Sequence, residues 1–218
     1  MIKTVLFDLD GTLADTAPDL ANALNAVLEA NGREPLPFAA IRPAVSHGGM
    51  ALIRLGFGIE PEHPDFEPLR RQLLEHYAAH IADETRLFPG MERVLTQLET
   101  EGRRWGVVTN KPGWLTEPLL GKLGLLPRAA CVVSGDTLPE RKPDPAPLHH
   151  ACRLAGSHAA ECVYVGDAER DILAGRQAGM PTLVACFGYL AADDQPETWG
   201  AHGLVDRPDD ILTWLERL

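Results

Sequence analysis

Positive charge is scarce in this sequence. Twenty Lys and Arg stand against thirty-one Asp and Glu, for a formal net charge of −11. A protein that grips nucleic acid needs a basic face, so this balance argues against such a partner. Long apolar runs are missing as well. No stretch approaches the roughly eighteen consecutive apolar residues of a membrane span. The N-terminus leads straight into a charged strand, without the apolar region of a signal peptide. Cysteine is sparse: Cys131, Cys152, Cys162 and Cys186 have no metal-type spacing. They read as free thiols in a reducing compartment, and the chain as cytoplasmic. Internal repeats and low-complexity tracts are absent.

What is present suits a packed α/β protein. Apolar residues make up 45% of 218, enough for one large domain or a domain carrying an insert. Short apolar runs at Val5–Phe7, Trp105–Val108, Ala130–Val133, Cys162–Val165 and Thr182–Ala185 alternate with helical patterns of about ten residues, the signature of a doubly wound parallel sheet. A short strand at Leu204-Val205 and a helix from Ile211 to Leu215 close the chain.

One stretch breaks the alternation. From residue 16 to 84 the patterns are helical. Thr16 and Asp19 have capping-box spacing and start a helix that ends at Asn31-Gly32. Residues 42–49 read as a flexible loop, followed by a short helix from Met50 to Leu55. Phe66, Leu69, Leu73, Tyr77 and Ile81 form one stripe of a second strong helix. The expected organisation is a discontinuous α/β core, residues 1–15 and 85–218, with an α-helical cap at 16–84. Such a cap could close over the strand ends and exclude water.

Ligands in an open α/β sheet gather at the carboxyl ends of the strands, and the polar residues of this chain stand there. Asp8 and Asp10 follow the first apolar run. Residues two apart in an extended strand point the same way, so both acids could face one small volume. Their mutual repulsion would be relieved by a divalent cation, and carboxylate oxygens suit Mg²⁺. Thr109 and Asn110 follow a second strand, Lys142 lies in a proline-rich loop past a third, and Asp167 with Asp171 follows a fourth. These groups are chemically complementary. A carboxylate can attack phosphorus, and a second can protonate the leaving oxygen and later activate water. A lysine and a hydroxyl can hold phosphoryl oxygens. Mg²⁺ with Lys142 would make a positive pocket in an acidic protein.

Asp8-Leu-Asp10-Gly-Thr, Val107-Val-Thr109-Asn110, Arg141-Lys142-Pro-Asp-Pro and Val165-Gly-Asp167-Ala-Glu-Arg-Asp171 resemble, in order, the four motifs of the haloacid dehalogenase superfamily. The helical insert resembles that superfamily's small cap. The resemblance implies a nucleophile at Asp8 and a general acid/base at Asp10. It implies phosphoryl contacts from Thr109 and Lys142, and Mg²⁺ held by Asp8, Asp167, Asp171 and the backbone carbonyl of Asp10. The superfamily's dehalogenases do not retain the second acid, because halide leaves unprotonated; Asp10 therefore favours phosphoryl transfer. The Thr-Asn-Lys-Pro and Lys-Pro-Asp-Pro segments and Phe187-Gly-Tyr189 are similar to phosphoglycolate phosphatases. Arg42, Val45-Ser46, Gly48 and Trp199-Gly-Ala201 look closer to bacterial N-acetylmuramic acid 6-phosphate phosphatases, with His47 where glycine is expected. The implied activity is phosphomonoester hydrolysis of a small phosphorylated metabolite, the alternatives being a phosphomutase of the same fold or a non-catalytic metabolite-binding protein. Asn110, Lys111, Arg42 and Ser46 are candidates to contact substrate. His76 and His80 read as exposed helix residues, and Trp199 and Trp214 as packing. Monomer and dimer both remain open.

Overall fold

The computed structural model describes residues 1–218. Six parallel strands form the main sheet: β1 (Thr4–Phe7), β4 (Arg104–Val108), β5 (Val132–Val133), β6 (Cys162–Gly166), β7 (Thr182–Ala185) and β8 (Gly203–Val205), in the order β5-β4-β1-β6-β7-β8. Two further short strands, β2 (Ala14–Asp15) and β3 (Arg86–Leu87), pair antiparallel to each other outside this sheet. The parallel sheet is as the sequence led us to expect.

The central strands are buried along their whole length because helices cover both faces. Side chains alternate between those faces. Val5, Phe7, Val107, Val163 and Val165 join one apolar cluster, while Leu6, Val108, Cys162 and Tyr164 join another. The first cluster includes α5 (Met91–Thr100), α6 (Gly113–Lys122) and α9 (Asp210–Leu215); the second takes in α7 (Ala146–Ala155) and part of α8 (Glu169–Gln177).

Between β2 and β3 lie α1 (Ala17–Ala30), α2 (Phe38–Ile41), α3 (Gly48–Phe57) and α4 (Phe66–Ala79). The stripe Phe66, Leu69, Leu73 and Tyr77 buries α4 against the rest of this insert. Two local readings of the sequence need correction. Residues 42–47 are not a flexible loop but a turn of 3-10 helix. The capping box at Thr16 and Asp19 does not form, because tertiary partners take both side chains. Thr16 Oγ1 donates to Asp10 Oδ1 at 2.7 Å. The Asp19 carboxylate accepts from the amides of Glu84 and Thr85 and from the Thr85 hydroxyl (2.7–3.2 Å). Asp19 thus fastens the two crossings between core and insert to each other.

No helix is long and apolar enough to cross a membrane. The four thiols are free.

Candidate active site

β1 sits at the middle of the sheet. The chain moves from it to β4 and β5 on one side, then returns to β6 on the other. Strand order reverses beside β1, and the crevice at such a point is where an α/β sheet takes ligands. Asp8 leaves the end of β1, Thr109 the end of β4 and Asp167 the end of β6. Parallel register, Phe7 beside Val107 and Val165, aligns these three ends. Asp171, in the first turn of α8, caps that helix by accepting from the Ala168 amide at 3.1 Å.

Lys142 reaches into this crevice from the loop before α7. Its Nζ lies 2.9 Å from Asp8 Oδ1 and 2.8 Å from Asp171 Oδ1. Its aligned hydrogen bonds go instead to the Val108 carbonyl (2.9 Å) and the Tyr164 hydroxyl (2.7 Å). Tyr164 passes its own proton to Val108 O. Burial alone would lower the Lys142 pKa; Asp171 and Asp8 outweigh it and hold the ammonium above its ordinary value.

The carboxylates are crowded. Oxygens of Asp8, Asp167 and Asp171 all lie within 4.8 Å of one another. Burial, then the charges of Asp8 and Asp171, pushes Asp167 up to about 7. Asp171 is raised too, by burial and Asp8 acting against Lys142. Asp8 Oδ1 and Asp171 Oδ1 are buried with no aligned donor despite their charge contact with Lys142. The three carboxylates, two of them with an orphaned oxygen, form an oxygen donor set that fits a hard divalent cation, with the Lys142 ammonium beside it.

Asp10 faces elsewhere. Its Oδ1 accepts from Lys111 Nζ at 2.9 Å and Thr16 Oγ1 at 2.7 Å, and its side chain is not in the carboxylate cluster. Lys111 also lies 4.4 Å from the centre of the Tyr77 ring on α4. Burial would lower Lys111, but Asp10 and Tyr77 overcome it and raise its pKa. Tyr77, whose hydroxyl is buried without a partner, is pushed up to about 12 by that burial.

The other candidates separate into two groups. Ser46 joins the cluster: its hydroxyl donates to Asp167 Oδ2 at 2.7 Å. Thr109 Oγ1 accepts the Lys111 amide at 3.1 Å. Asn110 does not present its amide to the crevice. It spans the Lys142 backbone, donating to its carbonyl (3.0 Å) and accepting from its amide (3.1 Å), so it positions the lysine. Arg42 likewise turns away from the acids, donating to Gly188 O at 2.9 Å and stacking 4.8 Å above the Tyr189 ring. His47 lies 3.4 Å from the Arg170 guanidinium, which also donates to Ser46 O at 2.5 Å. His76 and His80 stack on each other at 4.9 Å, with His80 against Asp83.

Tyr164, Thr12, Arg170 and Tyr189 were not singled out as site residues from the sequence. Thr12 Oγ1 donates to Asp167 Oδ1 at 3.3 Å, and the Tyr189 amide to Asp167 Oδ2 at 3.0 Å. A tyrosine inside an apolar run, as at Tyr164, is the one available signal: its ring packs as core while its hydroxyl requires a partner.

Comparison with known proteins bears on the family. The profile of the haloacid dehalogenase-like hydrolases matches residues 5–185. A phosphoglycolate phosphatase of Xanthomonas campestris is 45% identical over 212 residues, covering 96% of this chain and 94% of that one. An N-acetylmuramic acid 6-phosphate phosphatase of Pseudomonas aeruginosa is 39% identical over 216 residues, covering 99% and 96%. A crystal structure from Haemophilus somnus, described as a predicted phosphoglycolate phosphatase, superposes with a TM-score of 0.87 at 28% identity and 98% coverage of both chains. With its four motifs folded into one crevice, the chain belongs to the haloacid dehalogenase-like hydrolases.

Proposed function

We propose that this protein is a Mg²⁺-dependent phosphomonoesterase acting on a small phosphorylated metabolite, 2-phosphoglycolate or N-acetylmuramic acid 6-phosphate, through an aspartyl phosphate on Asp8. The observation that carries this reading is the separation of the two acids of β1. Asp8 lies among carboxylates and Lys142, while Asp10 is held by Lys111 and Thr16. Two acids in different surroundings suit two roles.

In the first step a carboxylate oxygen of Asp8 attacks phosphorus, and the bond to the leaving oxygen breaks. Asp10 gives that oxygen its proton. Lys111 and Thr16 both engage Oδ1 of Asp10, so Oδ2 is the oxygen free of both partners. In the second step Asp10, now a carboxylate, takes a proton from water as the water attacks the phosphorus of the aspartyl phosphate. Phosphate leaves, and Asp8 is free again. Lys142 and the Thr109 hydroxyl stabilise the phosphoryl oxygens as charge builds on them. Mg²⁺, held by Asp8, Asp167, Asp171 and the Asp10 carbonyl, would neutralise phosphate charge when bound.

The helical insert serves as a cap. Asp8 and Lys142 are 4% exposed, Asp167 2% and Asp171 0%, so substrate reaches them only when the insert swings aside. Ser46 is the cap residue that meets the acid cluster, and Tyr77 the one that covers Lys111. The test is release of inorganic phosphate from phosphoglycolate, N-acetylmuramic acid 6-phosphate and common hexose phosphates, with Mg²⁺. Hydrolysis of one of the first two well above the rest supports the reading. Isomerised sugar phosphate without phosphate release would overturn it in favour of a mutase.

A further inference from the structure

Phe187-Gly188-Tyr189, just past the end of β7, touches four separate parts of the molecule. The Tyr189 hydroxyl lies where the chain leaves the core for the helical insert. It accepts from the amides of Thr16 (2.6 Å) and Ala17 (2.9 Å) and donates to Asp15 Oδ1 (2.7 Å). It thereby supplies α1 with the cap that the Thr16 side chain does not. The returning crossing packs on the same segment: the Phe88 ring is 5.0 Å from Phe187 and 6.2 Å from Tyr189.

The third part is the 3-10 turn of the insert, through Arg42 on the Gly188 carbonyl and over the Tyr189 ring. The fourth is the acid cluster, through the Tyr189 amide on Asp167 Oδ2. Backbone packing leaves no slack there. A Cβ on Gly188 would fall 2.3 Å from the Gly11 carbonyl oxygen and 2.5 Å from Asp167 Cβ. A Cβ on Gly11, at φ 83°, would fall 2.1 Å from Asp167 Oδ2 and 2.8 Å from the Tyr189 ring.

We propose that Tyr189 is a positioning residue that joins the crossing into the helical insert to the Asp167 carboxylate, so that a cation bound at the acid cluster steadies the insert. Asp167 is one end of this connection and the amides of Thr16 and Ala17 are the other. Both ends are held by one buried residue, the first through its main chain and the second through its hydroxyl. Binding at one end must then favour the ordered state of the other, and the coupling is reciprocal. The proposal rests on the phosphatase reading for its cation, but its readout needs neither substrate nor turnover.

The experiment is amide hydrogen exchange of residues 14–20 with and without Mn²⁺, in the wild type and in Tyr189→Phe. The amides of α7, on the far side of the sheet, serve as the internal control for global stabilisation. In the wild type Mn²⁺ should slow exchange at Thr16 and Ala17 by about fivefold or more beyond the change in α7, the lower range of such couplings. Tyr189→Phe keeps the ring and the amide on Asp167 but orphans both insert amides. Their exchange should rise about tenfold without metal, and the extra protection by Mn²⁺ should disappear. Metal protection in the wild type no greater than in α7, or equal protection in the variant, would overturn the proposal. Arg42→Met covers the case in which Tyr189→Phe does not fold. It removes the stacking and the Gly188 contact, and it should weaken the metal protection at 14–20; unchanged protection would likewise overturn the proposal.

Discussion

Replacing Lys142 with Met should change stability with opposite sign at the two ends of the pH range. The ammonium is buried 2.9 and 2.8 Å from Asp8 and Asp171, and a third carboxylate, Asp167, stands in the same cluster. In metal-free protein near neutral pH, Met leaves those acids facing each other without it. Truncating one member of a buried ion pair costs about 3–5 kcal/mol. For a chain of this length each kcal/mol is worth about 2–4 °C, so the melting temperature should fall by roughly 6–20 °C. At acid pH the balance reverses. The folded Lys142 pKa lies above its ordinary value, so the lysine stays charged throughout and its loss of charge lies on the far alkaline side. Asp167 and Asp171, both raised, take up protons instead as the pH falls. With those anions neutralised the wild type holds a buried ammonium with less compensation, and Met, similar in length and apolar, costs nothing further. Urea denaturation with EDTA at about pH 4 and pH 8 measures both ends. A deficit of the same size at both, or none at pH 8, would refute the electrostatic account of this site.

Two further outcomes follow from the same geometry. Asp167 holds its proton up to about 7 in the folded chain but only to about 3.9 when unfolded, so between those values the folded state binds more protons and stability falls as pH rises. Metal-free protein should therefore lose up to about 4 kcal/mol across that window, and Mg²⁺ should restore it; a flat profile in EDTA would contradict the crowding of the three acids. Gly188→Ala should destabilise by about 3 kcal/mol, the upper range for overpacking, because its Cβ would meet the Gly11 carbonyl and Asp167. Thermal melting and phosphate release check it, and a variant with wild-type values for both would show that this backbone can move apart.

Much of the site is legible in the sequence because each acid stands immediately after an apolar run. Val5–Phe7 and Cys162–Val165 read as buried strands, which puts Asp8 and Asp167 at strand ends, and parallel pairing brings the ends together. Lys142 is less constrained by pattern, since a loop of prolines carries it, and the family motif marked it. What the sequence conceals is tertiary. Thr16 and Asp19 have the spacing of a local cap, but Asp10 and the returning backbone at Glu84 and Thr85 compete for them and win. Asn110 stands beside Thr109, the threonine proposed to hold phosphate, yet its amide closes on the Lys142 main chain. Tyr164 stands in an apolar run and Tyr189 in a loop segment, and the hydroxyls find partners 56 and more than 170 residues away in the chain. No local pattern encodes those pairings.

The central claim is that Asp8 becomes phosphorylated and Asp10 clears it. Asp10→Asn, given an aryl phosphate whose leaving group needs no proton, should still attack but fail to activate water. Mass spectrometry of the acid-quenched variant should then find one phosphoryl group on the peptide carrying Asp8, while Asp8→Asn carries none and loses phosphate release by several orders of magnitude. Phosphate release by Asp8→Asn at the wild-type rate, with no modified peptide in Asp10→Asn, would contradict the account.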